Sequence, residues 1–447
     1  MKKRDTALLL SAALALSLLG AASLAAEGEG PPLTSVPVQI GGAPEGETAP
    51  SDLVLAAQTE GGSSSEGEEE PSDVEEYIPD PVGTISFTNL ERRLRENNYN
   101  LLALEESIAS VEVIDYDKMT EDMRKQLNQI ARAQWMMVEF GQGDSYAATA
   151  LANSYSSLRE VFDDLKDGVI QEDNAAIVRQ LRNAQDQIVM AGESLYVAMV
   201  ELELNDRGLD RSLDALDRTL QELELRYQLG HISSLTLQEA KGGRTALVSG
   251  KETLEMNLSN LKLQLELMIG AEQTGEIQLQ SLPQVTAEQL AEMDLEEDLA
   301  AAKEASYELF AAKRTLEDAQ EDFKDAGRDY SYNEKNFRYV AAQHAWQAAQ
   351  HTYNAAVQNF ENSFRTLYNQ VKDYQQILSA AQTALAVEQS SYAAAQLKYE
   401  QGRLSQNGLL EAEDKVDEAR EKVESAAIDL FSAYHNYRWA VDHGILN

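Results

Sequence analysis

The 447-residue chain contains no cysteine. That excludes disulfide frameworks, thiolate metal sites, cysteine nucleophiles and a lipid-modified N-terminal cysteine. Basic residues are scarce: 37 Lys and Arg stand against 76 Asp and Glu, a formal net charge of −39. A bulk electrostatic grip on nucleic acid or anionic lipid needs a positive surface, so nucleic acid is not an expected partner. Aromatic residues make up 7% of the chain, which is lean for a large globular core. Proline is almost missing from most of the length. Eight of the nine prolines lie between Pro31 and Pro81, and only Pro283 follows. Interior proline costs a helix about 3 kcal/mol, so the proline-poor stretch is expected to be long helices. Length alone, at ~150 residues per domain, allows two or three domains.

What is present begins with an address. Met1-Lys2-Lys3-Arg4 is basic, Ala7 to Leu19 is apolar apart from Ser11 and Ser17, and Ser23-Leu24-Ala25-Ala26 offers small residues for cleavage. Residues 1–26 therefore read as a secretory signal peptide, and the protein is expected to be exported and to work in the cell envelope. Residues 27–83 hold fourteen acids and no Lys or Arg, with Gly, Pro and Ser filling much of the rest. Such a segment buries too little apolar surface to offset its ordering entropy and reads as a disordered acidic spacer.

From residue 84 the pattern is helical. Leu181, Ile188, Leu195, Leu202, Leu209, Leu216 and Leu223 recur at sevens, with Ile177, Ala184, Ala191 and Ala198 as a companion row. Trp346, Tyr353, Phe360, Leu367, Tyr374 and Ala381 form a second row, accompanied by Val357, Phe364, Val371, Leu378, Leu385 and Tyr392. Alternating three- and four-residue steps kept up this long predict a coiled-coil seam. Residues 335–401 would make one helix of roughly 100 Å at ~1.5 Å per residue. The fold class is all-α.

Each long helix ends in a similar turn. Tyr227-Gln228-Leu229-Gly230 runs into Ser233 and then Leu237-Gln238-Glu239-Ala240; Tyr399-Glu400-Gln401-Gly402 runs into Ser405 and then Leu409-Leu410-Glu411-Ala412. The two turns coincide when Gly230 is laid over Gly402, and the same offset carries Leu181 to Tyr353 and Leu195 to Leu367. Turn and heptad phase agreeing without a gap indicate an internal duplication. Glycine after the last helical residue suits the left-handed C′ position, and the serine three residues later suits the N-cap of a returning helix. Heptads resume at Leu247, Leu254, Leu261 and Met268, and at Leu409, Val416, Val423, Leu430 and Tyr437. Each copy is thus a long antiparallel helical hairpin with a tight tip. The openings also match, with Tyr99 over Tyr307, but at a larger offset than the tips. The first copy is therefore the longer one between its opening and its tip, and the addition reads as helices around Met119–Val138 and Asp144–Leu165. The copies are set at 84–282 and 283–447, with Pro283 at the link.

With the duplicated hairpins, the Tyr-x-x-Gly tips, the Leu-x-Glu-Ala stretches and the Asn98-Tyr99-Asn100-Leu101 opening in view, the chain resembles the TolC-like outer-membrane efflux proteins over about 86–443. The resemblance implies a homotrimer forming a hollow α-barrel. It implies partnership with an ABC or proton-driven exporter and with a periplasmic-adaptor-type (membrane fusion) protein. Carried over by position, Tyr227, Leu229, Gly230, Ser233, Tyr399, Gly402, Arg403 and Ser405 would be the adaptor-docking tips. Tyr399, Glu239 and Glu411 would line an entrance ring. The chain departs from the family at Gly408, where a second acid is expected, and at Leu404, where a gate arginine is expected. It also lacks room for transmembrane strands: Gly327-Arg328-Asp329-Tyr330-Ser331-Tyr332-Asn333-Glu334 is too short and polar for two strands of ~9–11 residues. The expectation is an α-barrel protein without the membrane β-barrel. Tyr330, Tyr332, Phe337 and Tyr339 cluster at that break, either as a local packing group or as a contact with a lipid or wall layer.

Catalytic signals are absent. The five histidines show no carboxylate–histidine metal spacing; His344 and His351, seven apart, read as surface or seam residues. There is no phosphate-cradling glycine loop and no nucleophile elbow. No enzyme activity, cofactor or metal is expected. The leading functional reading is a TolC-like envelope conduit; the alternative is a non-transporting extracytoplasmic coiled-coil scaffold or surface protein.

Overall fold

A computed structural model describes residues 79–446 of the chain. The signal-peptide reading and nearly all of the spacer reading lie outside the described residues. The compact unit begins at Asp80, before the expected boundary at 83. The reason is a single carboxylate: Asp80 accepts hydrogen bonds from the Ser86 amide (3.0 Å) and Asn89 Nδ2 (2.9 Å), which fastens it to the first helix.

The elements are β1 (Thr84–Ile85), α1 (Phe87–Asn97), α2 (Tyr99–Glu112), α3 (Tyr116–Glu139), α4 (Tyr146–Lys166), α5 (Val169–Gln228), α6 (Ser234–Met268), β2 (Gln278–Leu279), α7 (Ala287–Glu292), α8 (Leu295–Ala305), α9 (Tyr307–Asp329), α10 (Phe337–Glu400) and α11 (Gln406–His443). The architecture is helical, as the pattern requires. The two strands are two residues each and pair in parallel. Buried Tyr196 clamps them, its hydroxyl donating to the carbonyls of Ile85 (3.1 Å) and Gln280 (2.6 Å).

Four long helices lie side by side in the order α6, α5, α11, α10. The expected added helices are α3 and α4, an antiparallel pair joined to the body at the start of α5. There Asn174 Nδ2 bonds the Tyr116 hydroxyl (2.9 Å) and Gln171 Nε2 bonds the Leu165 carbonyl (2.9 Å). In the second copy the corresponding place is the turn between α9 and α10, with no β-hairpin among the described residues.

The duplication is visible at the joints. Helices α1 and α8 are both 11 residues long and coincide when Tyr99 is laid over Tyr307. Buried Asn98 and Ser306 each close one helix and cap the next. Each joint is met by a left-handed glycine after a return helix, Gly270 (φ 64°) and Gly444 (φ 65°). A Cβ on Gly270 would lie 3.0 Å from Asn97 Cβ, and one on Gly444 only 2.3 Å from Ser306 Cα, so both joints need the bare backbone.

The copies are not separate domains. One core gathers Leu290, Leu309, Phe360, Phe364 and Tyr437 from the second copy. A second gathers Leu90, Val189, Tyr196 and Leu265 from the first, but takes Trp439 from α11, and a smaller third joins Val197 and Leu204 of α5 to Ile428 and Phe431 of α11. The seam of α10 follows both expected rows, with Phe360, Phe364, Leu367 and Val371 buried. The seam of α5 is rotated: Ala191 and Ala198 are exposed, while Gln185, Val189, Glu193 and Tyr196 are buried. The rotation comes from α1, α2 and α11 all packing on this stretch. Buried Glu193 is reconciled with the core by Trp439 Nε1 and His435 Nε2, both 2.8 Å away.

Candidate functional site: the paired helical tips

The tips form by helix-end chemistry alone. At the first, α5 stops in a Schellman turn: the His231 amide donates to the Arg226 carbonyl (2.8 Å) and the Gly230 amide to that of Tyr227 (2.9 Å). At the second, Arg403 donates to Lys398 (2.8 Å) and Gly402 to Tyr399 (2.8 Å). Gly230 and Gly402 are left-handed at φ 73° and 69°. Ser233 then caps α6 through the Thr236 amide (3.2 Å), and Ser405 caps α11 through the Gly408 amide (3.1 Å). Two segments far apart in the chain thus repeat the same bonds, position for position.

The tips stand beside each other. Asn407 Nδ2 reaches Glu222 of α5 (3.2 Å). Below it, α5 and α11 are held in register by Arg207 on Glu424 (2.5 Å), Arg211 on Glu421 (2.5 Å) and Arg218 on Asp414. These pairs line an open cleft of about 510 Å³ whose charges largely answer one another. On the other flank, Lys241 pairs with Glu224 (2.7 Å) and Arg244 grips Asp217 through two nitrogens (2.5 and 3.1 Å). The Arg244 guanidinium holds the Asp217 carboxyl below its ordinary range.

Most of the surface around the turns is apolar or uncharged. Leu225, Tyr227, Leu229 and Leu235 are exposed at the first tip, and Leu397 and Tyr399 at the second. Arg403 is exposed and has no ion-pair partner among the described residues. Glu239 and Glu411 are likewise without an ion-pair partner among the described residues, and no hydrogen bond joins either to Tyr399. Within one chain, then, the residues expected to form the docking tips are brought together at the two turns, while those expected to line an entrance are not in contact with one another.

The two departures at the second tip have one physical cause. Leu404 folds back over α11, and a Cβ on Gly408 would sit 2.8 Å from Leu404 Cδ1. An apolar side chain over a glycine occupies this place, leaving no room for an acid at 408 without moving the leucine. His344 and His351 lie on α10, and no group of three or more metal-ligating side chains occurs among the described residues.

No family model matches the chain, and no curated protein does. The chain is similar in fold to outer-membrane channel proteins. One is the outer membrane protein VceC of Vibrio cholerae, 13% identical at a TM-score of 0.47, with 80% of this chain and 95% of that one covered. Another is CusC, 14% identical at a TM-score of 0.47, covering 80% and 96%. A third is the MtrE outer membrane channel of Neisseria gonorrhoeae in its open state, 13% identical at 0.38, covering 80% and 89%.

Proposed function

We propose that the chain is a conduit component of a cell-envelope export system. Copies close into a hollow helical ring, a homotrimer as the TolC-like resemblance implies. An adaptor protein docks on the Gly230 and Gly402 tips and delivers cargo from an ABC or proton-driven exporter. Glu239, Glu411 and Tyr399 belong to different helices of that ring near its tip end, where they would line the entrance.

One observation carries the reading. In the row of four long helices, α5 and α11 are interior and α6 and α10 are edges. Apart from Leu225 and Tyr227 at the first tip and Phe337 at the α9/α10 turn, the exposed large apolar residues of the row all lie on the edges. They are Leu235, Met256 and Leu267 on α6, and Ile377, Val387, Leu397 and Tyr399 on α10. Helix α11, flanked on both sides, exposes none. An edge with apolar side chains in water is incomplete, and a row whose two edges match closes by joining α10 of one copy to α6 of the next.

The register supports this closure. Moving the Arg211–Glu421 level by the repeat offset puts Thr383 opposite Ser249. In that register exposed Leu397 stands level with exposed Leu235, and Ile377 next to the level of Met256. On α10 the arginines of the in-chain junction become small residues, Ser379, Thr383 and Ser390 standing in for Arg207, Arg211 and Arg218; on α6, Ser249 and Gly242 stand in for Glu421 and Asp414, while Glu252 keeps the place of Glu424. Small side chains at most of these levels permit close approach of the helices.

The absence of native cysteine makes the test clean. A chain carrying Met256→Cys and Ile377→Cys is expected to form disulfide-linked species up to a covalent trimer on oxidation, and the wild type to sediment as a trimer. A monomer without cross-links would overturn the ring and leave the scaffold reading. A ring that fails to retain an adaptor hairpin after Leu229→Ser and Leu397→Ser, while the wild type retains it, supports the tips as the docking site; equal retention counts against them.

A further inference from the structure

At the end of the unit remote from the tips, the α3/α4 hairpin is apolar on the outside. Trp135, Met136, Val138, Phe140 and Tyr146 are 49–91% exposed around the turn at 140–145. Between the two helices the distal half already holds Ile130, Met137, Leu151 and Tyr155 half-buried, beside Ala131, Gln134 and Ala148. An ordinary water-facing hairpin keeps its large apolar groups inside; this one carries a second set on its outside. The hairpin joins the body near the first turns of α5, and α5 is about 90 Å long at ~1.5 Å per residue, so this end and the tips are far apart.

We propose that this end lies in the interface of a lipid bilayer with uncharged or zwitterionic headgroups. Three features select that occupant. Between Arg132 and Arg159 the only charged residues are Glu139 and Asp144, in a chain that is 25% charged. A protein-docking surface carries a polar rim, whereas this segment has shed charge all round. At about 100° per residue, Trp135, Met136 and Val138 spread over roughly 160° of α3, and Phe140 and Tyr146 continue round the turn. A fluid phase surrounds such an end, while a partner groove covers one face. Finally, Trp and Tyr are the side chains suited to the headgroup level, with an apolar body and a polar handle.

The same segment sets the limits. Its two charges are both negative, so anionic lipid offers no added attraction. No helix among the described residues is long and apolar enough to cross a membrane, so the contact is interfacial. The second copy adds a smaller element at its own α9/α10 turn, where Phe337 and Tyr332 are exposed. Its neighbour Tyr339 is instead buried and stacked on Phe323 at 5.3 Å, so that aromatic group divides between packing and surface. This inference is independent of the tips: a chain that floats with lipid but binds no adaptor, or the reverse, separates the two.

The test uses the full chain with phosphatidylcholine vesicles. Of the three tryptophans, Trp439 is buried and Trp346 is stacked on Phe323, so Trp135 reports the hairpin end. The expected result is co-flotation with a blue shift and quenching of Trp135 by lipid brominated near the headgroup. Adding phosphatidylglycerol or roughly 0.5 M salt should leave the binding within about twofold, given the lack of positive charge. The variant Trp135→Ser, Val138→Ser, Phe140→Ser should lose at least tenfold in vesicle binding with unchanged helicity; Leu229→Ser with Leu235→Ser at the far tip should lose none. Wild-type chain that does not float, a triple variant that floats equally, or binding driven by anionic lipid would each overturn the proposal. So would a triple variant that changes only the oligomeric state, since that would assign the patch to a second copy.

Discussion

The two copies agree where the chain turns at the tips and at the Asn98 and Ser306 joints, and disagree at the end farthest from the tips. At the tips, the same four amide bonds and the same serine caps recur at matching positions of the repeat. At the opposite end, one copy grows a helix pair, α3 and α4, while the other makes a short turn. The return helices differ too: α6 packs chiefly on α5, whereas α11 packs on α10, α5 and α8. The shared parts therefore include the tips and the joints, and the divergence is greatest at the end remote from the tips. Duplicated hairpins keep their tip geometry because a left-handed glycine and a serine cap suffice to build it, with no long-range packing. The far ends depend on what each copy packs against, so they follow different rules.

The largest expected effect breaks this comparison behind the return helices. Glu266 is buried at the end of α6, and its carboxylate accepts from the amides of Thr274 (2.7 Å), Gly275 (2.7 Å) and Ile277 (3.1 Å) and from the Thr274 hydroxyl (3.0 Å). Burial works to raise this carboxyl, but those donors outweigh it and hold it below the ordinary range. Its counterpart in the repeat is Arg438, which pairs with Asp442 (2.8 Å) on the same helix. Replacing Glu266 with Ala leaves several donors without a partner, at about 1–3 kcal/mol for each one that stays buried, and a total near ~3 kcal/mol is expected. Arg438→Ala should cost no more than about 0.5 kcal/mol. Urea denaturation of the two variants measures the contrast; equal losses would mean that the loop after α6 is not a device particular to the first copy.

A smaller effect sharpens the likeness of the tips. Ser233→Ala and Ser405→Ala each remove one N-cap bond and should each cost about 1 kcal/mol. The two values are expected to agree closely, since the cap bonds are nearly equal in length at 3.2 and 3.1 Å. Hydrogen exchange of the first turns of α6 and α11 reads this locally. Faster exchange at one tip alone would show that the tips are alike in shape and unlike in stability.

Much of this was legible in the sequence. The near-absence of proline, the heptads and the Tyr-x-x-Gly turns led to the long helices and to both caps. What the pattern could not give were the places where polar residues are buried for a reason. Gln185 and Glu193 look like surface residues on α5. Glu193 joins the core only because Trp439 and His435 arrive from far along the chain to meet it. Asn98 and Ser306 resemble loop residues and are the joints of the two copies. The Trp135 patch escaped for the opposite reason. Met119–Val138 carries apolar residues at helical spacing, and periodicity alone does not say which face of an added hairpin is turned to the body. For the candidate site, spacing placed the two turns and their caps, while the edge residues Met256 and Ile377 emerge only once the order of the four helices is known.

The last prediction concerns the junction that the first copy shares with α11, and it rests on one histidine. His443 Nδ1 lies 3.1 Å from Asp186 of α5, which also receives Arg95 at 3.0 Å. The hydrogen bond to Asp186 holds the His443 imidazole above its ordinary value against the effect of burial, with Asp442 and Glu91 adding to the attraction. Burial works to raise the Asp186 carboxyl, yet the bonds from His443 and Arg95 prevail and hold it low. The signs follow by linkage. A raised histidine contributes its stabilisation fully below about pH 6.5 and loses it as pH climbs through the folded-state value. A depressed aspartate contributes above about pH 4 and loses it as pH falls through its folded-state value. The junction should therefore be firmest between these limits and loosen on the alkaline side. The end of α11 is expected to exchange amide hydrogens faster at about pH 8 than at about pH 5.5, after correction for intrinsic rates. His443→Gln should abolish that pH dependence while leaving the Ser405 tip unchanged. A pH dependence that persisted in the variant would overturn the assignment to His443.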